Sequence, residues 1–269
     1  MNQLGLTSKF FVKSSPEVWR DAQNAGFETA ELVFPSDMSI KPMFEEAAKR
    51  RSDIRSSGLH ILSAHTPFGP MTDPSSANTA QRRLAMETEK TVLDQISDWE
   101  ISIAVLHASF EPIGEDERAT RMEIARDAIA ELGEYARKRG VTLAVEVLPR
   151  TCLGNCSKEI LYLTEHGKLA KVNFDFNHLL KESHFSFIEA VAPYIVTTHV
   201  SDYDFVDEKH WMPGIGKIDW KNVIGCIREH GYNGQLMFET YEDRAIPGKI
   251  CTPGMIVDMW HRLMSEEKE

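Results

Sequence analysis

Short apolar runs alternate with longer amphipathic segments along the chain, and these two patterns predict strands and helices respectively. The predicted strands span Lys9–Val12, Phe27–Phe34, Leu59–Ala64, Ile101–Leu106, Val141–Val147, Lys171–Phe176, Tyr194–Val200 and Gln235–Phe238. The predicted helices span Pro16–Ala25, Pro42–Ser57, Ala77–Trp99, Arg118–Arg139, Ser157–Glu165, Phe185–Val191, a segment that begins at Trp220, and Thr252–Ser265. One strand and one helix therefore recur about every 30 residues, the length of a βα repeat.

This alternation predicts the fold class. Strands that alternate with helices favour a parallel sheet whose connections are helical crossovers. Eight such units in 269 residues fit an α/β protein with a closed (β/α)8 barrel, a TIM barrel, better than an open sheet. No Gly-x-Gly-x-x-Gly motif follows the first predicted strand, which counts against a dinucleotide-binding fold. We therefore expect residues 1–269 to form a single barrel domain.

Composition and charge narrow the classes of function. Apolar residues make up 42% and charged residues 26% of the chain, as in ordinary globular proteins. No apolar run approaches the roughly 20 residues of a membrane span, and the N-terminus lacks the layout of a signal peptide. We therefore expect a cytoplasmic protein without a membrane partner. The net charge of −11 lowers the expectation of nucleic-acid binding, because phosphate backbones are usually held by a basic face.

Polar residues stand at or beside the carboxyl ends of six predicted strands. They are His65, His107, Glu146, Asp175, His199 and Glu239. In a parallel barrel these ends converge on one mouth, where active sites are built. Ionised carboxylates among apolar residues need a compensating cation, and Arg150 is the main basic residue nearby. A divalent metal is the simplest counter-charge, and the mixture of imidazole and carboxylate suits Mn²⁺, Zn²⁺, Co²⁺ or Mg²⁺.

The segment Thr197–Trp220 concentrates the polar chemistry of one βα unit. His199 lies near the end of the predicted strand, and a polar loop with five acidic residues and His210 follows it. The turn Pro213–Gly216 is expected to place His210 over the barrel mouth. Asp219 is a plausible N-cap for the helix that begins at Trp220.

Several short motifs together resemble a known family. They are Val145-Glu146, Asp175-x-x-His178, His199-Val-Ser-Asp202, His210-x-x-Pro-Gly-Ile-Gly-x-Ile-Asp-Trp220 and Phe238-Glu239. The combination resembles the xylose isomerase-like TIM barrels, which include sugar and sugar-phosphate isomerases and epimerases and the endonuclease IV type of apurinic-site nuclease. The resemblance extends from the third predicted strand to the eighth.

The ketose 3-epimerase branch of this family implies a specific site. One divalent metal ion would be held by Glu146, Asp175, His199 and Glu239. The resemblance assigns Glu146 and Glu239 as the acid/base pair and His178 as a residue that binds substrate hydroxyls. His210 is expected to contact substrate from its loop, and His65 and His107 to line the sugar pocket.

The chemistry of such a site is proton transfer beside a carbonyl. A metal on the ketone and a neighbouring hydroxyl lowers the pKa of the intervening C–H and stabilises an enediolate. One glutamate removes the proton and the other delivers a proton to the opposite face. The resemblance implies a sugar or sugar phosphate as the small-molecule partner and a homo-oligomeric assembly.

The endonuclease IV branch supplies the alternative. In that pattern His65, His107, His178, Glu208 and His210 are additional ligands, and three metal ions would serve a phosphodiesterase acting on apurinic DNA. Glu208 stands where the pattern has Asp, and the acidic total charge does not favour DNA. A catalytically idle barrel used for binding is a third possibility, against which Glu146 and Glu239 argue because both are present.

Overall fold

Parallel strands close into a barrel over residues 3–36 and 38–265, the part of the chain described by the computed structural model. Within these residues the eight strands follow one another around the barrel in chain order. They are β1 Leu4–Thr7, β2 Thr29–Val33, β3 His60–His65, β4 Ile103–Leu106, β5 Thr142–Glu146, β6 Lys171–Asp175, β7 Ile195–Val200 and β8 Leu236–Phe238. Closure is completed by parallel pairing of β1 with both β2 and β8.

A helix follows each strand and packs outside the barrel. The helices are α1 Pro16–Ala25, α2 Ile40–Ser57, α3 Thr79–Asp98, α4 Glu115–Arg137, α5 Ser157–Thr164, α6 His184–Val191, α7 Trp220–Glu229 and α8 Pro253–Ser265. The predicted (β/α)8 barrel is therefore confirmed, and the predicted helices differ from the observed ones by at most three residues at either end. None of the described helices combines the length and the apolar character that crossing a membrane requires.

The predicted position of the first strand was wrong. The strand is Leu4–Thr7, whereas Lys9–Val12 belongs to the loop that follows it. Glycine weakens a strand pattern, but here Gly5 is required because a Cβ atom would lie 2.6 Å from Met237 Cε and from Thr29 Oγ1. Lys9–Val12 has the stronger apolar pattern because Phe10 and Phe11 are core residues, but they are buried in the loop after β1 and do not pair in the sheet.

Asp202 organises the loop after β7. Its buried carboxylate accepts hydrogen bonds from the backbone N–H groups of Tyr203 (2.9 Å), Gly214 (2.8 Å) and Ile218 (3.1 Å). It also accepts one from the indole N–H of Trp220, at 3.0 Å. A single side chain thus ties the strand end to the start of α7, where Asp219 caps the helix as predicted.

A backbone bridge sets His210 over the mouth. Asp202 and Trp211 exchange two hydrogen bonds, of 2.8 and 3.0 Å, which close the intervening loop. His210 precedes Trp211 with a positive φ of 51°, and its Nδ1 lies 3.2 Å from the carbonyl oxygen of Glu239. The turn Pro213–Gly216 therefore acts together with this bridge, and both depend on Asp202.

Gly216 leaves no space for a side chain, which gives a test of this loop. A Cβ atom there would collide with the backbone of Tyr203 and with the carboxylate of Asp202. We expect Gly216→Ala to lower the free energy of unfolding by about 1–3 kcal/mol, because overpacking displaces the Asp202 hydrogen bonds. Gly225→Ala in α7 is the matched control, since a Cβ there meets nothing within 4 Å. Chemical denaturation checks both, and equal stability of the two variants would contradict this description of the loop.

Candidate metal centre at the barrel mouth

The structure brings every predicted site residue to the same end of the barrel. His65, Glu146 and Asp175 end their strands, His199 lies in β7, and His107 and Glu239 directly follow β4 and β8. The remaining three lie in the loops after β6 and β7: His178, Glu208 and His210. These nine side chains form three groups, and in each group ligand atoms lie within 4.8 Å of one another.

The central group consists of Glu146, Asp175, His199 and Glu239. All four side chains are almost completely buried, with exposed fractions of 0–2%. Oδ2 of Asp175 and Oε2 of Glu239 have no hydrogen-bond partner. Burial raises the pKa of Asp175 to about 8, because the ionised carboxyl loses its hydration beside other carboxylates. Three buried carboxylates around one imidazole are the donor set of a divalent cation.

Glu31 holds the imidazole of His199 in place from behind. Oε1 of Glu31 lies 2.9 Å from His199 Nε2, so this nitrogen donates to the carboxylate and Nδ1 faces the group. Nδ1 lies 3.2 Å from Glu239 Oε2 and 3.5 Å from Glu146 Oε2. Burial by itself lowers the pKa of His199, but the carboxylates of Glu239, Glu31 and Glu146 raise it well above its ordinary value. A carboxylate behind a histidine is the usual arrangement for a metal ligand.

Lys9 supplies a cation to the same centre. Its ammonium lies 3.2 Å from Glu239 Oε1 and 4.5 Å from the centre of the Phe68 ring. Burial by itself lowers the pKa of Lys9, but the charge of Glu239 raises the net value, so the ammonium stays protonated. Arg150, the counter-charge considered from the sequence, instead pairs with loop carboxylates, among them Glu208 at 3.0 Å.

Sequence reasoning missed both Glu31 and Lys9 as site residues. Glu31 is a single carboxylate in the apolar β2 strand, the same signal that marked Glu146 in β5. Lys9 was missed because the first strand was predicted at Lys9–Val12, which made Lys9 the start of a strand rather than a residue of the loop after it. With β1 ending at Thr7, a lysine two residues later stands at the mouth.

The second group adds two histidines to Glu146. Nε2 of His65 lies 3.1 Å and Nε2 of His107 lies 3.5 Å from Glu146 Oε2. Burial lowers the pKa of His107 to about 4, so its imidazole is neutral at pH 7. Glu146 therefore belongs to two groups and can face a cation in either.

The third group is formed by His178, Glu208 and His210. Nε2 of His178 lies 3.0 Å from Glu208 Oε2, and Arg150 holds the other oxygen of Glu208. Burial by itself raises the pKa of Glu208, but the hydrogen bond and charge of His178 lower it to about 2. Glu208, which stands where the endonuclease IV pattern has aspartate, therefore contacts both His178 and Arg150.

A cavity of about 290 Å³ opens above these groups. The side chains of Lys9, Phe68, His107 and Tyr241 contribute to its lining. Its volume is near the lower end of the range for small-molecule sites. It can hold a single small polar molecule above the carboxylates.

The fold and the site define a (β/α)8 barrel with a carboxylate–histidine centre at its C-terminal mouth. The chain belongs to the xylose isomerase-like TIM barrel family, whose sequence pattern matches residues 19–255. It is 23% identical to the uncharacterized protein MJ1311 of Methanocaldococcus jannaschii, over 79% of this chain and 83% of that protein.

Solved structures with the same fold include sugar epimerases. A D-tagatose 3-epimerase-like protein superposes with a TM-score of 0.77 at 19% identity, covering 97% of this chain and 98% of that chain. The 3-keto-D-glucoside 4-epimerase YcjR from E. coli superposes with a TM-score of 0.76 at 17% identity, covering 97% and 99%. At these identities the similarity establishes the shared fold.

The contact between Glu31 and His199 can be tested by metal binding. We expect Glu31→Gln to weaken binding of Mn²⁺ or Zn²⁺ by about 10–100-fold, because the amide neither orients the imidazole nor raises its basicity as a carboxylate does. Competition with a chelating dye measures the affinity. Glu28→Gln on the exposed rim of the barrel is the control, and unchanged affinity of the Glu31 variant would contradict the assignment.

Proposed function

We propose that the protein is a divalent-metal-dependent sugar isomerase or epimerase that acts on a sugar or sugar phosphate. One observation carries this proposal: Glu146 at the end of β5 and Glu239 directly after β8 belong to one buried group and, in strand order, flank Asp175 and His199. Two carboxylates on opposite sides of a bound carbonyl compound are what proton removal and return require. The sugar epimerases among the similar structures support this class of reaction.

The residues of the central group fit a divalent cation. Two of its buried carboxylate oxygens lack a hydrogen-bond partner, and burial beside other carboxylates raises the pKa of Asp175 to about 8. Glu146, Asp175, His199 and Glu239 would hold Mn²⁺, Co²⁺, Zn²⁺ or Mg²⁺, with Mn²⁺ our first choice. Such an ion supplies positive charge that acidifies a C–H bond beside a carbonyl.

Glu146 and Glu239 transfer the protons in this proposal. Burial by itself raises the pKa of Glu239, but the charges of His199 and Lys9 lower the net value, so Glu239 is a carboxylate able to accept a proton. For Glu146 the charge of His199, together with hydrogen bonds from His107 and His199, likewise outweighs burial and lowers the pKa. One glutamate removes the proton from the carbon beside the carbonyl, and the other returns a proton from the opposite face. Return at the adjacent carbon converts epimerisation into aldose–ketose isomerisation.

Three of the four remaining histidines bind and orient the sugar. His178 and His210 face the cavity from the loops after β6 and β7 and contact substrate hydroxyls. His107 lies against Glu146 and lines the cavity, whereas His65, expected from the sequence to line the pocket, is buried against Glu146 and does not reach the cavity. Lys9, which pairs with Glu239, keeps this carboxylate ionised.

A multi-metal phosphodiesterase is a second candidate, favoured by one specific observation. All three ligand groups are assembled, and Glu146 is shared by two of them. Against it stand the net charge of −11 and the salt bridge from Arg150, which occupies one oxygen of Glu208. We therefore rank this activity below isomerisation.

Cleavage of DNA tests the second candidate directly. With Zn²⁺ or Mn²⁺ added, we expect no incision of a duplex oligonucleotide containing one abasic site, because the acidic surface repels the phosphate backbone. Denaturing gel electrophoresis of the oligonucleotide checks this. Incision that disappears in His65→Ala and Glu208→Ala would replace the isomerase by the phosphodiesterase.

Solvent deuterium exchange tests the first candidate. In D₂O with Mn²⁺ and a panel of ketoses and ketose phosphates, we expect the wild-type protein to incorporate deuterium beside the carbonyl of its substrate. Glu146→Gln and Glu239→Gln should each lower the rate by about 10²–10⁴-fold, because an amide cannot accept the proton. Glu87→Gln on the exposed face of α3 is the control. NMR of the recovered sugar gives the rates, and normal exchange in either site variant would show that the acid/base assignment is wrong.

A further inference from the structure

A second and larger cavity lies beside the candidate active site. We call it the apolar groove; it has a volume of about 870 Å³, compared with about 290 Å³ for the catalytic cavity. Its floor is the loop from Pro67 to Thr72, and its walls come from the start of α2 and the middle of α3. The apolar side chains that form its lining include Met38, Ile40, Met43, Met71, Leu84 and Phe110.

The apolar groove adjoins the catalytic cavity. Phe68 and Phe110 line both. The ring of Phe68 stacks on the imidazole of His107 with centroids 4.4 Å apart and planes at 25°, which fixes it as an aromatic wall between the two spaces. Phe68 and Phe110 are therefore the side chains that a substituent on a sugar in the catalytic cavity would pass to reach the groove.

The floor of the groove is held in shape by polar contacts at both ends of its loop. The backbone N–H of Phe68 donates to Ser36 Oγ at 3.0 Å. Farther along, the buried guanidinium of Arg121 donates to Asp73 at 2.6 Å and to Ser75 at 2.7 Å. Hydrogen-bonded charge pairs of this kind are the strong and geometrically specific ones. The groove is therefore a preformed concavity, as ligand sites usually are.

The lining identifies the chemistry of the occupant. No charged side chain contributes to it among the described residues, so it offers nothing to a phosphate or a nucleic-acid strand. Ile40, Leu84 and Met71 are 45%, 41% and 59% exposed, and a contiguous apolar patch of this kind marks a binding surface. Methionine sulfur and the Phe68 and Phe110 rings favour aromatic partners.

We infer that the substrate is a sugar joined to an apolar aromatic group, with the sugar in the catalytic cavity and the aromatic group in the apolar groove. This inference rests on the proposed function, because the sugar end is positioned by the carboxylate–histidine centre. The small catalytic cavity has room for the sugar alone, and the adjoining groove gives the remainder of the molecule its place. A second copy of this chain is less suited, since the groove is concave and shares Phe68 and Phe110 with the catalytic cavity.

Paired ketose ethers test the inference. Isothermal titration of the full chain with Mn²⁺ compares the 6-O-methyl and 6-O-phenyl ethers of D-fructose, D-psicose, D-tagatose and D-sorbose, which keep the carbonyl that the proposed reaction needs. We expect at least one phenyl ether to bind about tenfold more tightly than its methyl partner, because the ring buries apolar area. Ile40→Ser should remove most of this preference, whereas Ile250→Ser, an exposed isoleucine outside the groove, should retain it.

The outcomes separate the inference from the proposed function. Deuterium exchange into a free ketose without any preference for phenyl over methyl overturns the aromatic subsite and leaves the isomerase intact. A preference that Ile40→Ser removes, with no exchange into any sugar, supports the subsite while the isomerase fails. A wild-type dimer that Ile40→Ser converts to monomer in sedimentation velocity would assign the groove to a second copy and overturn the subsite. The absence of binding by every phenyl ether would overturn it as well.

Discussion

The concentration of buried negative charge at the barrel mouth is the constraint on which the rest of this structure depends. Glu146, Asp175 and Glu239 converge on His199 with almost no exposure to water. Removing ionised carboxylates from water is costly unless a cation or hydrogen-bond donors replace the lost hydration. In the protein itself the ammonium of Lys9 pairs with Glu239, and one oxygen each of Asp175 and Glu239 has no hydrogen-bond partner. A divalent cation held by this group would balance the remaining negative charge.

Glu146 belongs to two of the three ligand groups, so the same residue would take part in either proposed reaction, sugar isomerisation or phosphodiester hydrolysis. The same carboxylate faces the central group on one side and the imidazoles of His65 and His107 on the other. With the central group alone in use, the two glutamates are free to exchange protons with a sugar. With all three groups in use, the same scaffold would serve hydrolysis of a phosphodiester. The details around Glu208 therefore matter, because Arg150 competes with any ion for this carboxylate.

Much of the fold and the candidate site could be predicted from the sequence because both rest on strong patterns. Apolar strands with one polar residue at the carboxyl end identify the barrel and bring Glu146, Asp175 and Glu239 together. The features that could not be predicted depend on contacts between residues that are far apart in the sequence. Gly5 weakens the apolar pattern of β1, but glycine is required there because Met237 occupies the space of a Cβ atom. The first strand was therefore predicted too late in the chain, and Lys9 was not recognised as a residue of the barrel mouth. The backing of His199 by Glu31 joins residues far apart in the chain, so only the closed barrel reveals it.

The apolar groove was beyond sequence reasoning for the same reason, since its walls come from separate loops and helices. Among the described residues its lining is uncharged, and this is the basis for placing an apolar substituent there. The most direct test of the proposed one-metal centre is an anomalous difference map from crystals grown with Mn²⁺, which shows how many ions bind at the barrel mouth. We expect one strong peak per chain, within coordinating distance of Glu146, Asp175, His199 and Glu239. Three peaks, with ions beside His107 and His210 as well, would contradict a one-metal isomerase centre.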